Sequence, residues 1–179
     1  MAHESILVAT ERASDANSYI TLADAEVMVE HEMLHTTGWT GSDLLKEAAL
    51  IWATRILDYS FNWKGYKSLY EQSLDWPRFN AYSRYGTLLG YDYNLKDAVV
   101  PKLVKHAVVD LAISLLQSDV TKDPDSKGLK SLQVDVIKME FLTSDAAKAI
   151  NIGIKSMLED YGTFIDADKS GGMVRLVRG

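Results

Sequence analysis

The chain has 179 residues, which is the size of one domain with room for an arm or a tail. Hydrophobic residues make up 47% of it and charged residues 25%, and the net charge of −6 disfavours a broad nucleic-acid-binding face, which needs clustered Lys and Arg. The absence of cysteine excludes disulfides, thiol catalysis and thiolate metal sites, and no apolar run is long enough to span a bilayer.

Hydrophobic periodicity predicts four helices. An apolar run at residues 5–10 precedes them and is typical of an extended arm or a lone strand. The predicted helices cover about residues 22–35, 43–58, 101–116 and 144–161. Pro101 suits the start of the third helix, since its missing N–H group would have no helical partner there.

An aromatic-rich insert separates the second and third predicted helices, at about residues 60–100. Eleven of the seventeen aromatic residues fall between Tyr59 and Tyr93, and Gly and Pro residues interrupt any helix there. A segment of this length without periodicity is usually functional.

Two further segments complete the predicted architecture. Alternating apolar residues predict a small β-hairpin at about residues 129–142, and residues 162–179 predict an extended C-terminal arm. The fold class is therefore predicted as mainly α: a four-helix bundle in a domain of residues 1–161, with the hairpin, the insert and the arm attached.

One motif indicates a zinc hydrolase. His31-Glu32-Met33-Leu34-His35 matches H-E-x-x-H, in which two His side chains on one helix face bind zinc and the Glu acts as general base. A third ligand is missing, because the position at which metzincins have His is Gly41. Two ordinary surface histidines near the end of a helix, where a His cation interacts well with the helix dipole, are the favoured explanation of the motif.

The insert permits two functions. Aromatic rings interleaved with Lys and Arg are typical of a surface that binds single-stranded DNA by stacking. The same residue types are enriched at protein interfaces, and nearby Asp and Glu residues cancel most of the positive charge, which favours the interface. The candidate interface residues are Trp63, Trp76, Pro77, Arg78 and Tyr82.

Several segments in a fixed order carry a resemblance to a known family. They are Asp15 to Ala25, Glu47 to Leu50, Ala53 to Asp58, Trp63 to Gly65, Leu74 to Arg78, Val100-Pro101 and Arg175 to Gly179. In this order they resemble the head-to-tail adaptor (connector) proteins of tailed bacteriophages, some of which are labelled primosomal DnaT-like single-stranded-DNA-binding proteins. His31 to His35 lies outside the family pattern.

The resemblance implies a structural virion protein rather than an enzyme, with no cofactor. It implies a ring of about twelve copies that joins the portal protein to tail or nozzle proteins, while double-stranded DNA passes through the lumen without specific binding. The protein would occupy the head–tail junction of the virion, and the host cytoplasm during assembly, without a membrane partner. The residues expected to dock on the portal are Met173, Val174, Arg175, Leu176, Val177 and Arg178.

Overall fold

The computed structural model describes residues 5–32, 37–93, 95–117 and 150–165. Within these ranges the chain forms four helices and three two-stranded antiparallel sheets. The helices are α1 (Leu22–Glu32), α2 (Asp43–Ser60), α3 (Lys102–Gln117) and α4 (Ile152–Leu158). The strands are β1 (Phe61–Trp63), β2 (Tyr66–Lys67), β3 (Arg78–Phe79), β4 (Tyr91–Asp92), β5 (Asp97–Ala98) and β6 (Gly162–Phe164).

Polar side chains determine where the helices begin. Thr21, Ser42 and Asn151 each accept a hydrogen bond from the backbone N–H three residues further along, at 3.1, 3.3 and 2.9 Å. These bonds satisfy N–H groups that have no partner inside the helix. Pro101 stands directly before α3, as the sequence predicts.

Helices α2 and α3 pack against each other and form the centre of the core. Leu50 and Leu57 on α2 are fully buried, as are Val104, Val108 and Leu111 on α3. Helix α4 packs on α3, and α1 contacts both central helices. Only the α2–α3 pair therefore resembles a bundle.

The prediction of a four-helix bundle is wrong. A bundle needs four helices of comparable length side by side. Helix α4, capped at Asn151, has 7 residues and α2 has 18, so their lengths are about 10 Å and 27 Å at a rise of 1.5 Å per residue. Part of the core is built by residues of the insert rather than by helices, since Phe61, Trp63 and Trp76 belong to the same buried cluster as the central helices.

The three small sheets give the insert its order. Strand β1 pairs with β6, so residues 162–164 return to the end of α2, with Phe61 opposite Phe164. Strands β2 and β3 pair with Tyr66 opposite Phe79, and β4 pairs with β5. Strands of two or three residues are too short to show an alternating pattern, so the sequence did not predict them.

Residues 5–10 lie against the domain without joining a sheet. Asn17 holds them, since its side chain accepts from the Val8 N–H at 2.8 Å and donates to the Ile6 carbonyl at 2.9 Å. The buried Glu47 accepts from the Ile6 N–H at 3.0 Å. The two bonds with Asn17 fix the segment to the loop before α1, and the bond to Glu47 connects it to α2.

Several predicted features lie outside the described residues. They are the hairpin at about 129–142, the start of the fourth helix at 144, His35, and the docking residues Met173 to Arg178. Across the residues that the structure describes, no helix combines the length and the hydrophobicity that a bilayer span requires.

Candidate interaction surface

A partly buried carboxylate on α2, that of Asp58, connects the N-terminal segment to the insert. The Tyr19 hydroxyl donates a short hydrogen bond to Asp58. The backbone N–H groups of Asp75 and Trp76 both reach the Tyr19 oxygen at 3.1 Å, and that of Asp75 also lies 3.2 Å from the Asp58 carboxylate. Three segments distant in sequence therefore meet at one pair of side chains.

Burial changes the acidity of this pair. Loss of hydration raises the pKa of Asp58 to about 7, although the hydrogen bond from Tyr19 opposes the rise and the charge of Asp75 adds to it. Burial, followed by the charge of Asp58, holds the pKa of Tyr19 well above its usual value. The pair is thus a structural junction that is sensitive to pH.

Trp76 lies in the core rather than on the surface. Its ring is 1% exposed and makes edge contacts with Trp63 and Tyr161, each with centroids 5.9 Å apart. Gly90 has a positive φ of 61°, and a Cβ there would stand 2.6 Å from the Trp76 ring. Trp63 is 6% exposed and Pro77 is buried, so neither ring is available to stack on a DNA base.

Arg78 holds the turn between β1 and β2 in place. Its guanidinium donates to the Lys64 carbonyl at 2.8 Å and to the Gly65 carbonyl at 2.7 Å. It also donates to the Asp75 carbonyl at 3.2 Å. Because its donors serve the protein's own backbone, Arg78 is a structural residue of the insert.

Most of the large exposed side chains of the insert are tyrosines. Tyr82 is the one predicted interface residue that is substantially exposed, at 48%, and Tyr70 is fully exposed. The other large exposed side chains of the insert are Tyr66, Leu69, Tyr85, Tyr93 and Leu95. We refer to these seven side chains as the tyrosine face.

Nearby carboxylates neutralise several cations of the insert. Lys67 lies 3.4 Å from Asp75, and Arg84 lies 2.7 Å from Asp160 and 3.1 Å from Glu159. The hydrogen bond from Arg84 holds the pKa of Asp160 below its usual value, so this pair stays charged near neutral pH. The tyrosine face therefore lies in surroundings of little net positive charge.

The structure separates the parts of the zinc motif. Glu32 binds Lys102 at 2.8 Å and His106 at 2.7 Å, while the side chain of His31 is mostly exposed. The hydrogen bond from Lys102, with His106 as a further contributor, lowers the pKa of Glu32. Among the described residues, no three His, Cys, Asp or Glu side chains are grouped to hold a metal.

Four of the segments that carry the family resemblance meet in space, because the Tyr19–Asp58 pair bonds to Asp75 and Trp76, and Arg78 bonds to Gly65. A comparison with family models finds a match over almost the whole chain. Residues 5–179 match the family described as "Putative DnaT-like ssDNA binding protein".

The chain belongs to this family. The DnaT-like part of the resemblance is thereby confirmed, whereas a phage connector is named by no comparison and stays a prediction. Neither the curated proteins nor the solved structures yield a match.

Sequence reasoning missed one residue of the junction completely. Gln72 is buried, and its side chain accepts from Ser68 and Leu69 and donates to the carbonyls of Leu74 and Pro77. No sequence pattern signals such a role, because a polar residue in a loop is expected to face solvent.

Proposed function

We propose that this protein is a structural, non-enzymatic component of a tailed-phage virion, a head-to-tail adaptor that acts through protein contacts. The observation that carries the proposal is the tyrosine face, which is exposed while the nearby cations Lys67 and Arg84 are held in ion pairs. The ordered segments of the chain resemble those of adaptor proteins. That resemblance indicates an assembly in which the tyrosine face would make protein contacts.

The composition of the tyrosine face supports protein contacts over DNA contacts. Tyrosine offers a large, rigid and partly polar surface, and it is enriched in the cores of protein interfaces. Binding to phosphates instead requires cations that are free to release counterions. Arg78 and Arg84 are already occupied by carbonyls and carboxylates.

The charge of the whole chain supports a role beside DNA without tight binding. The net charge is −6, so the average surface repels the phosphate backbone. In the proposed ring of about twelve copies, that repulsion would let double-stranded DNA slide through the lumen. The ring would sit at the head–tail junction, between the portal protein and tail or nozzle proteins.

The first test measures mass. The purified protein, alone and mixed with the portal protein of the same phage, is examined by light scattering and negative-stain imaging. A ring, or a complex with the portal, is the expected result. A protein that stays monomeric and does not bind the portal protein contradicts the proposal.

A deletion tests the docking role of the C-terminal tail. Removing residues 170–179, which include Met173 to Arg178, is expected to abolish co-sedimentation with the portal. The circular dichroism spectrum should remain unchanged, because the deletion begins after β6. Full co-sedimentation of the shortened chain would exclude the tail as the docking element.

Single-stranded-DNA binding is the second candidate, and the family match supports it better than it supports the adaptor role. Exposed rings such as Tyr82 and Tyr85 could stack on bases. The test is fluorescence anisotropy with a labelled oligo(dT). Salt-sensitive binding that the Tyr82→Ala variant weakens would favour DNA binding; no binding by the wild type would reject it.

A further inference from the structure

One side of α2 carries three residues of the kinds that dominate protein interfaces; Arg55 and Tyr59 are exposed, and Trp52 is partly buried against the core. Trp52, Arg55 and Tyr59 stand at positions i, i+3 and i+7, which fall on one face of a helix. The guanidinium carbon of Arg55 lies 5.3 Å from the centroid of the Trp52 ring, and Tyr59 is 83% exposed. We refer to these three residues as the helix patch.

Charge distinguishes the helix patch from the tyrosine face. Arg55 is exposed, and within the described part of the chain no carboxylate pairs with its guanidinium, in contrast to Arg84. Trp, Tyr and Arg are also the residue types most enriched at interface hot spots, the positions where truncation to alanine weakens binding most. The helix patch is therefore suited to bind a protein surface that carries both an acidic side chain and an apolar ring.

A loop of the same chain has the complementary character. Leu69, Tyr70 and Glu71 are consecutive and all exposed, and Glu71 has no ion-pair partner among the residues described. This three-residue segment, which we call the 69–71 loop, presents an aliphatic group, a fully exposed phenol ring and a carboxylate together.

Hydrogen bonds to the buried Gln72 side chain fix the conformation of the 69–71 loop. The Gln72 side chain accepts from the Ser68 hydroxyl at 2.8 Å and from the Leu69 N–H at 2.9 Å. It donates to the carbonyls of Leu74 at 2.9 Å and Pro77 at 3.1 Å. A loop fixed by a buried side chain loses little conformational entropy when it binds, which favours its use as a docking element.

We propose that the 69–71 loop of one copy docks on the helix patch of a second copy, with Glu71 facing Arg55. The inference rests on the proposed function, since it supplies the self-contact that an adaptor assembly needs. A contact between two different surfaces of the same chain is heterologous, and such contacts generate rings when the rotation closes.

A charge swap tests the proposal within one chain. Mass is measured by light scattering, with the portal protein present if the wild type assembles only then. Arg55→Glu and Glu71→Arg, each alone, are expected to reduce the assembly to monomers. The double variant is expected to restore it, because both charges are reversed together. Glu30→Arg serves as the matched charge-reversal control, since Glu30 is exposed on α1 and belongs to neither docking surface nor to the tyrosine face.

The possible results distinguish a failure of the proposed self-contact from a failure of the adaptor role on which it rests. Assembly that survives both single swaps, or is not restored by the double swap, overturns the inference but leaves the adaptor role intact. Absence of assembly in the wild type overturns both. If Arg55→Glu abolishes oligo(dT) binding while the mass is unchanged, the helix patch is a DNA site, and the proposed self-contact is rejected.

Discussion

At the scale of single residues, Asp58 has the most consequential environment. It accepts from the Tyr19 hydroxyl and the Asp75 N–H, and burial raises its pKa to about 7 from an ordinary value of 3.8. The folded protein therefore prefers the protonated carboxyl more strongly than the unfolded chain does. The junction between the insert and the core is stabilised by that proton.

The raised pKa of Asp58 determines the direction in which the free energy of unfolding changes with pH. The contribution of Asp58 to stability is fully present below about pH 4 and is lost as the pH rises to about 7, by up to about 1.4 kcal/mol per pH unit. We expect the difference in free energy of unfolding between wild type and Asp58→Asn to change across this range. Urea denaturation at a series of pH values measures it, and parallel profiles would contradict the prediction.

Trp76 and Tyr85 form a matched pair of aromatic residues, one buried and one 86% exposed. Trp76→Ala removes a core ring that contacts Trp63 and Tyr161, so we expect a loss of about 3–5 kcal/mol in the free energy of unfolding. Tyr85→Ala should change it by no more than about 0.5 kcal/mol. Chemical denaturation compares the two, and similar losses would show that the core does not depend on Trp76.

At the scale of elements, one buried side chain ties together a loop of the insert, since Gln72 bonds to Ser68, Leu69, Leu74 and Pro77. Gln72→Ala leaves several buried polar groups without partners, which costs about 1–3 kcal/mol, and the loss should open the 69–71 loop locally. Because Tyr70 is fully exposed, we expect chymotrypsin to cleave after it faster in the variant. Tyr85 provides an internal control within the same digest, and equal acceleration at both sites would indicate global unfolding instead.

At the scale of the whole molecule, the net charge of −6 makes the salt dependence of binding a test between the two candidate functions. Binding to single-stranded DNA should weaken more than about tenfold between about 50 and 200 mM salt, because counterions are released. Assembly through the 69–71 loop and the helix patch should change much less over that range, because salt screens only the single Glu71–Arg55 pair and no array of counterions is released. Anisotropy and light scattering on the same salt series measure both, and a steep salt dependence of assembly would contradict the prediction.

Parts of this architecture could be predicted from the sequence because they depend on local rules. The starts of α1 and α2 follow from the capping residues Thr21 and Ser42, and α3 follows Pro101 because that residue is favoured at a helix start. Apolar periodicity predicted helices at about residues 43–58 and 101–116, which the structure has as α2 and α3. The bounds of α4 could not be predicted, because its start depends on the Asn151 side chain rather than on apolar periodicity.

The sequence by itself determined the starts of α1, α2 and α3, the concentration of aromatic residues between α2 and α3, and the ordered segments that resemble the adaptor family. Only the tertiary structure decided which aromatic residues are buried, placing Trp63 and Trp76 inside and Tyr70 and Tyr82 outside. It also brought Tyr19, Asp58 and Asp75 together. The physical reason is that burial in a segment without periodicity depends on contacts between residues distant in sequence, which no local pattern records.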